Sequence, residues 1–173
     1  MPRAIDFAKL SLCDALDLAI LIEDEARERY EEFADQMQLY HTPDAERFFR
    51  EMAVNETRHG SELSERRQAL FPREPRHVTR DMLWDVEAPG YEQAAMFMSA
   101  RQAMLVALEA EVKAHDYFAA ALEHVADADV RTLFAELRDE EVEHQRMVRA
   151  AMARLPPDPD VDPDDYADPP VSQ

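Results

Sequence analysis

LDLAILIEDEARERYEEFADQM, residues 16–37, is apolar at helical spacing: Leu16, Ala19, Ala26, Tyr30, Phe33 and Met37 fall on one face, and Glu23 falls among them. A glutamate in the middle of a stripe meant for burial needs a reason, because an uncompensated carboxylate in a helix-bundle core costs several kcal/mol, roughly. The interruption recurs in three further segments. One reads Ala45, Phe49, Met52, Glu56, His59, Leu63. Another reads Met104, Ala107, Glu111, Ala114, Phe118, Leu122, Val125, and the last reads Leu133, Leu137, Glu141, His144, Val148, Met152. Each stripe carries one acid, and the second and fourth add a histidine three residues on. Ala19-x-x-x-Glu23-x-x-Ala26-x-x-x-Tyr30 is echoed by Ala107-x-x-x-Glu111-x-x-Ala114-x-x-x-Phe118. The chain reads as two copies of one helical hairpin.

Punctuation around these stripes sets the helices. Ser11 with Asp14 resembles a capping box, opening a helix from about Leu12 to Met37. Thr42-Pro43 is an N-cap followed by proline at the first helical position, and that helix runs to Leu70, before Pro72 and Pro75. A long connection, LFPREPRHVTRDMLWDVEAPG (70–90), follows. The third helix is predicted to begin after Pro89-Gly90 and to reach about Val125. The fourth follows Asp127 and ends before Pro156. Two short links around one long crossover predict an all-α, ferritin-like four-helix bundle, with the crossover between the second and third helices. Residues 1–155 form this domain in the reading. Residues 156–173, PPDPDVDPDDYADPPVSQ, hold six prolines, six aspartates and no basic residue, so a disordered or extended tail is expected.

Composition narrows the function. Of 173 residues, 38 are acidic and 19 basic, a net charge of −19. That argues against a nucleic-acid partner or an anionic membrane surface, each of which needs a basic face. The single cysteine, Cys13, excludes a disulfide framework, a Cys-ligated zinc site and a C-x-x-C pair within the chain. Two glycines, Gly60 and Gly90, are too few for a phosphate cradle or an all-β fold. No apolar run reaches the roughly 18 residues of a membrane span, and the start MPRAIDFAKL lacks an apolar signal core, so a cytoplasmic location is expected.

The acids and histidines fit a metal centre. Residues three apart are neighbours on a helix, so Glu56/His59 and Glu141/His144 can each offer one oxygen and one nitrogen to one cation. With Glu23 and Glu111 they make four carboxylates and two imidazoles, whose charge two divalent cations would cancel. A glutamate from each of two helices and Glu-x-x-His from each of the other two is the ligand pattern of di-iron and di-manganese carboxylate bundles. Oxygen and nitrogen donors without thiolate suit two irons, with manganese the alternative. A third Glu-x-x-His, Glu74/His77, has Pro75 inside it and is read as accidental. Glu109 is the alternative to Glu111, and Glu140 to Glu141, both off the apolar stripe. His41, His115 and His124 read as surface residues, Met96, Met98 and Met104 as core, Cys13 as an inert thiol, and Trp84 as a packing anchor in the crossover.

The motifs EDEARERY (23–30), NETRH (55–59), EVKAHDYF (111–118) and EEVEH (140–144) resemble, across residues 11–154, the rubrerythrin-like branch of the ferritin-like superfamily. The resemblance implies two irons bound by Glu23, Glu56, His59, Glu111, Glu141 and His144, with Glu56 and Glu141 bridging. It also implies that Tyr30 hydrogen-bonds a ligand carboxylate across the bundle. The implied activity is reduction of hydrogen peroxide or dioxygen in oxidative-stress defence, with a homodimer as the assembly. Three departures stand out. One cysteine leaves no C-terminal rubredoxin site, so electrons are expected from a separate rubredoxin or reductase. Ala114 stands where classical rubrerythrins place an extra glutamate, which puts their redox-linked iron movement in doubt. Phe118, not tyrosine, occupies the position matching Tyr30, and the adjacent Tyr117 points about 100° away. Two other readings remain: a ferroxidase that handles iron, for which the missing fifth helix and the Pro-rich tail argue against a standard cage, and a non-enzymatic scaffold with a vestigial site.

Overall fold

A computed structural model of the chain describes residues 5–82, 86, 88–90 and 98–155. Four long helices make up the fold: α1 (Leu12–Leu39), α2 (Pro43–Leu70), α3 (Ala100–Leu122) and α4 (Ala128–Met152). Two 3-10 turns, Phe7–Lys9 and Arg80–Met82, accompany them, and there is no strand among the described residues. α1 packs along α2 and α3 along α4, while fewer contacts join α2 to α3 and α1 to α4. The result is the all-α four-helix bundle that the stripes imply. Trp84, Met96 and the 156–173 segment lie outside the described residues.

Helix ends explain the lengths. At α1, Ser11 Oγ accepts from the Asp14 amide at 3.1 Å, and the Asp14 carboxylate accepts from Ser11 Oγ at 2.7 Å. The expected capping box is thus closed through the hydroxyl rather than the Ser11 backbone. α1 ends in a Schellman motif. His41 adopts φ 58, its amide reaches Gln38 O at 3.2 Å, and the Thr42 amide reaches Met37 O at 3.0 Å. Thr42 makes no side-chain cap to α2, because its hydroxyl also turns back to Met37 O, so Pro43 alone opens that helix. α3 differs from expectation. Among the described residues it opens at Ala100, where Ser99 and Gln102 form a reciprocal capping box, and it stops at Leu122. Pro89-Gly90 is a break in the crossover, not the start of this helix. Asp127 caps α4 as read, accepting from the amides of Asp129 and Val130 at 2.9 and 3.1 Å.

Two apolar clusters fill the bundle. One gathers Leu16, Ile20, Phe118, Val130, Leu133 and Phe134; the other gathers Phe33, Met37, Phe49, Met52, Ala103 and Ala107. Glu23, Glu56, Glu111, Glu141 and His144 are buried between these apolar ends.

The crossover is tied down by long cationic side chains. Arg67 grips buried Asp17 through Nε and Nη2 at 3.0 and 3.2 Å and donates to the carbonyls of Phe71 and Glu74. Arg80 forks onto Glu28 at 2.7 and 2.6 Å. Further on, Arg29 donates to Pro89 O and Lys113 to Ala88 O, the latter at 2.8 Å. The connection is therefore drawn against α1 and α3, the helices that carry the lone glutamates.

Candidate metal centre

Each helix delivers its mid-stripe acid to the interior because its apolar neighbours one turn away are buried on the same side. Glu23 (4 % exposed), Glu56 (1 %), Glu111 (0 %) and Glu141 (2 %) are all buried. The six residues singled out in the sequence assemble into two groups, Glu23/Glu56/His59 and Glu111/Glu141/His144. Within each group, one oxygen or nitrogen from every member lies within 4.8 Å of the others. That spacing suits donors converging on one small cation. Glu109 and Glu140 are exposed and belong to neither group.

Both imidazoles turn the same atom inward. His144 Nδ1 is 3.0 Å from Glu111 Oε2 and 3.6 Å from Glu141 Oε2. His59 Nδ1 is 3.9 Å from both Glu23 Oε2 and Glu56 Oε2. The two rings lie parallel, 4.7 Å apart with 3° between their planes, linking the groups. Burial pushes His59 down to about 4, and the nearby His144 and Arg58 add to this against the opposing Glu111 charge. A neutral imidazole at neutral pH is the form that coordinates a metal. Tyr30 donates from its hydroxyl to Glu111 Oε1 at 3.3 Å, crossing from α1 to α3. Gln145 Nε2 donates to Glu111 O at 3.3 Å, steadying the same turn of α3.

The donor set fits a pair of divalent cations. Four carboxylates and two neutral imidazoles would be neutralised by two such ions, and the oxygen-rich, thiol-free set suits iron or manganese. Cys13 lies elsewhere, near Asp17 and Arg67, with its thiol pushed up chiefly by burial.

Two clefts of opposite character flank the histidine pair. One of about 230 Å³ is lined by His59, Glu62, Arg66, Glu136 and Glu140 together with leucines. Arg66 and Glu136 pair across it at 2.7 Å. The Glu140 carboxyl is pushed above its usual value, first by desolvation; Glu62 and Glu136 add to this, and His144 and Arg58 oppose it. The other cleft, of about 170 Å³, is lined by Phe48, Met52, Met104, Met147, Val148 and His144, so it is largely apolar.

The discounted histidines keep clear of the centre. His41 and His124 are exposed, and half-buried His115 meets Asp116 at 2.9 Å. His77 meets Asp14 at 3.3 Å rather than Glu74. Met98 and Met104 are buried in core. Tyr117 packs edge-on against Phe7 and Phe118, and burial raises its phenol to about 12. Phe118 stacks edge-on with Phe134, and buried Ala114 leaves no further carboxylate at that turn. Sequence reading missed Arg58, whose Nη2 lies 3.1 Å from His59 Nε2. It is one residue from the stripe and therefore about 100° off the apolar face.

The family model described as Rubrerythrin matches residues 14–152. Among solved structures, the fold is similar to that of an uncharacterised conserved protein from Magnetospirillum magnetotacticum MS-1. That match has 29 % identity and a TM-score of 0.67, covering 88 % of this chain and 100 % of the other. A hypothetical protein from Pyrococcus furiosus, 21 % identical with a TM-score of 0.50 over 84 % of this chain and 90 % of its own, shares the fold. A comparison with functionally curated proteins found no match.

Proposed function

The chain belongs to the rubrerythrin family, and from that premise we propose that it is a di-iron oxidoreductase that reduces hydrogen peroxide. The observation that carries the reading is the pair of Glu/Glu/His groups in one buried layer. Glu23, Glu56 and His59 would hold one iron, and Glu111, Glu141 and His144 the other. When bound, two ferrous ions would supply one electron each and, with two protons, reduce one peroxide to two waters.

The remaining work falls to the protein. Tyr30 orients the Glu111 carboxylate through its hydroxyl. The apolar clusters above and below keep bulk water from the acid layer. The cleft beside His59 admits a small polar molecule, since its walls offer carboxylates and a guanidinium. The reductant in this reading is a separate protein such as a rubredoxin or a reductase. No helix among the described residues is long and apolar enough to cross a membrane.

The test is metal content per chain by elemental analysis, then anaerobic Fe(II) loading and challenge with peroxide or dioxygen. Two irons per chain, oxidised faster by peroxide, is the expected result. Faster oxidation by dioxygen with continued iron uptake would shift the reading to a ferroxidase. Two bound manganese ions with no iron uptake would reassign the metal. Absence of bound metal, unaltered by replacing His59 and His144, would leave only a helical scaffold.

A further inference from the structure

Arg58 poses a chemical problem for the centre described above. Its guanidinium has only donors, so the contact of 3.1 Å to His59 Nε2 requires that nitrogen to accept. The neutral ring must then carry its proton on Nδ1, the atom that faces Glu23 and Glu56. A cation held at Nδ1 takes the place of that proton. The imidazole would then be protonated on Nε2 and become a donor there, facing a second donor. Arg58 cannot stay where it is.

The replacement acceptor is within the same cleft. Metal-bound histidines generally donate their other N–H to a carboxylate, carbonyl or water. Glu140 on α4 lines the cleft with His59. Glu136, the other α4 acid there, is engaged by Arg66. Glu62 lies on the same helix as His59, one turn on. Arg58 is exposed, so it can swing outward without disturbing the core.

We propose that the outer nitrogen of His59 has two exchangeable partners: Arg58 while the centre is empty, and Glu140 once a cation is held at Nδ1. The proposal rests on the metal-centre reading for its second half, while its first half concerns the empty protein alone. Arg58 and Glu140 are positioning residues that act through His59. Arg58 holds the proton of the empty ring on Nδ1, the atom a cation must take over, and so slows cation capture. Glu140 orients the ring that has captured one.

Two measurements test this on the full chain. The first is nitrogen-15 NMR of the His59 ring in metal-free protein. The wild type should show the Nδ1–H tautomer, and Arg58→Met should populate Nε2–H, with Arg58→Lys remaining closer to wild type. Nε2–H in the wild type would overturn the proposal whether or not metal binds. The second is stopped-flow binding of Co(II) alone, followed by its visible absorption. Arg58→Met should speed association several-fold at unchanged stoichiometry. Glu140→Gln should weaken binding by about 10-fold, and Glu62→Gln should leave it near wild type. Full stoichiometry with association unchanged in Arg58→Met, or with the loss in Glu62→Gln rather than Glu140→Gln, would overturn the exchange and leave the metal reading standing. Failure of the wild type to bind Co(II) would overturn both.

Discussion

Glu56 is 1 % exposed in a layer it shares with Glu23, Glu111 and Glu141. Like charges at that depth repel, and stability is given up to hold them ready for cations. Neutralising one of several carboxylates that share a buried site relieves both their repulsion and its desolvation. Glu56→Gln should therefore raise the unfolding midpoint of metal-free protein while abolishing the further rise that metal gives the wild type. Thermal unfolding with and without Mn(II) reads both effects, and a Glu56→Gln protein that loses stability without metal and keeps the metal-induced rise would contradict this account. His59 adds a pH term of definite sign. Its value falls from 6.5 to about 4 on folding, so above pH 6.5 it is neutral in both states and contributes no slope. Between 6.5 and 4 the unfolded chain takes up a proton that the folded chain refuses. Metal-free stability should fall through this window as pH drops, and His59→Gln should remove up to about one linked proton from the slope measured by urea unfolding. The six residues of the two groups were legible from sequence because each broke an apolar stripe. Arg58 is not singled out there, and Glu140 enters only as the alternative to Glu141, because off-stripe polar residues look like ordinary solvated surface until the partner helix is in place.

Helix ends show the same division. Ser11, Pro43 and Asp127 act within a few residues of themselves, so three of the four helix starts could be read locally. The start of α3 could not, because Pro89-Gly90 is the stronger local break while the Ser99–Gln102 box is the signal that holds. The turn between α1 and α2 was also hidden, since nothing about His41 announces φ 58. A residue with a Cβ is strained in that region, and glycine is the usual occupant of this position in a Schellman motif. His41→Gly should stabilise the protein by about 0.5–1 kcal/mol, the relief of strain exceeding the entropy that glycine adds to the unfolded chain. Gly60 offers the converse change within α2. An added Cβ would meet Glu23 Cβ at 3.5 Å, an ordinary contact, so Gly60→Ala should gain up to about 1 kcal/mol in helix propensity without moving the acid. Urea unfolding of both variants checks the signs, and Gly60→Ala should keep the metal stoichiometry of the wild type.

Across the whole molecule, two hairpins of similar pattern must be held in one arrangement for the acid layer to form, and the crossover is what joins them. Its ties are long-range: Arg80 to Glu28 spans 52 residues, and Arg29 to Pro89 spans 60. No stripe or spacing rule reaches that far, which is why the crossover was read only as a long connection. Asp17 is fully buried and receives both Arg67 and, at 3.3 Å, Arg76. Removing one member of such a cluster leaves the other charges without their counterpart, whereas removing both with apolar groups restores balance. Asp17→Leu should therefore lower the unfolding midpoint by several degrees, and Arg67→Met should do the same. The double variant should recover most of the loss, because the buried opposition of charge is then gone. Since the six candidate ligands lie in a different layer, the double variant should still bind metal to the wild-type stoichiometry. If it instead folds stably yet binds no metal, the Asp17–Arg67 tie is setting how α1 and α2 present their acids and not merely stability. An additive loss in the double variant would show that the two side chains act through separate contacts, Asp17 with Arg76 and Arg67 with the carbonyls of Phe71 and Glu74.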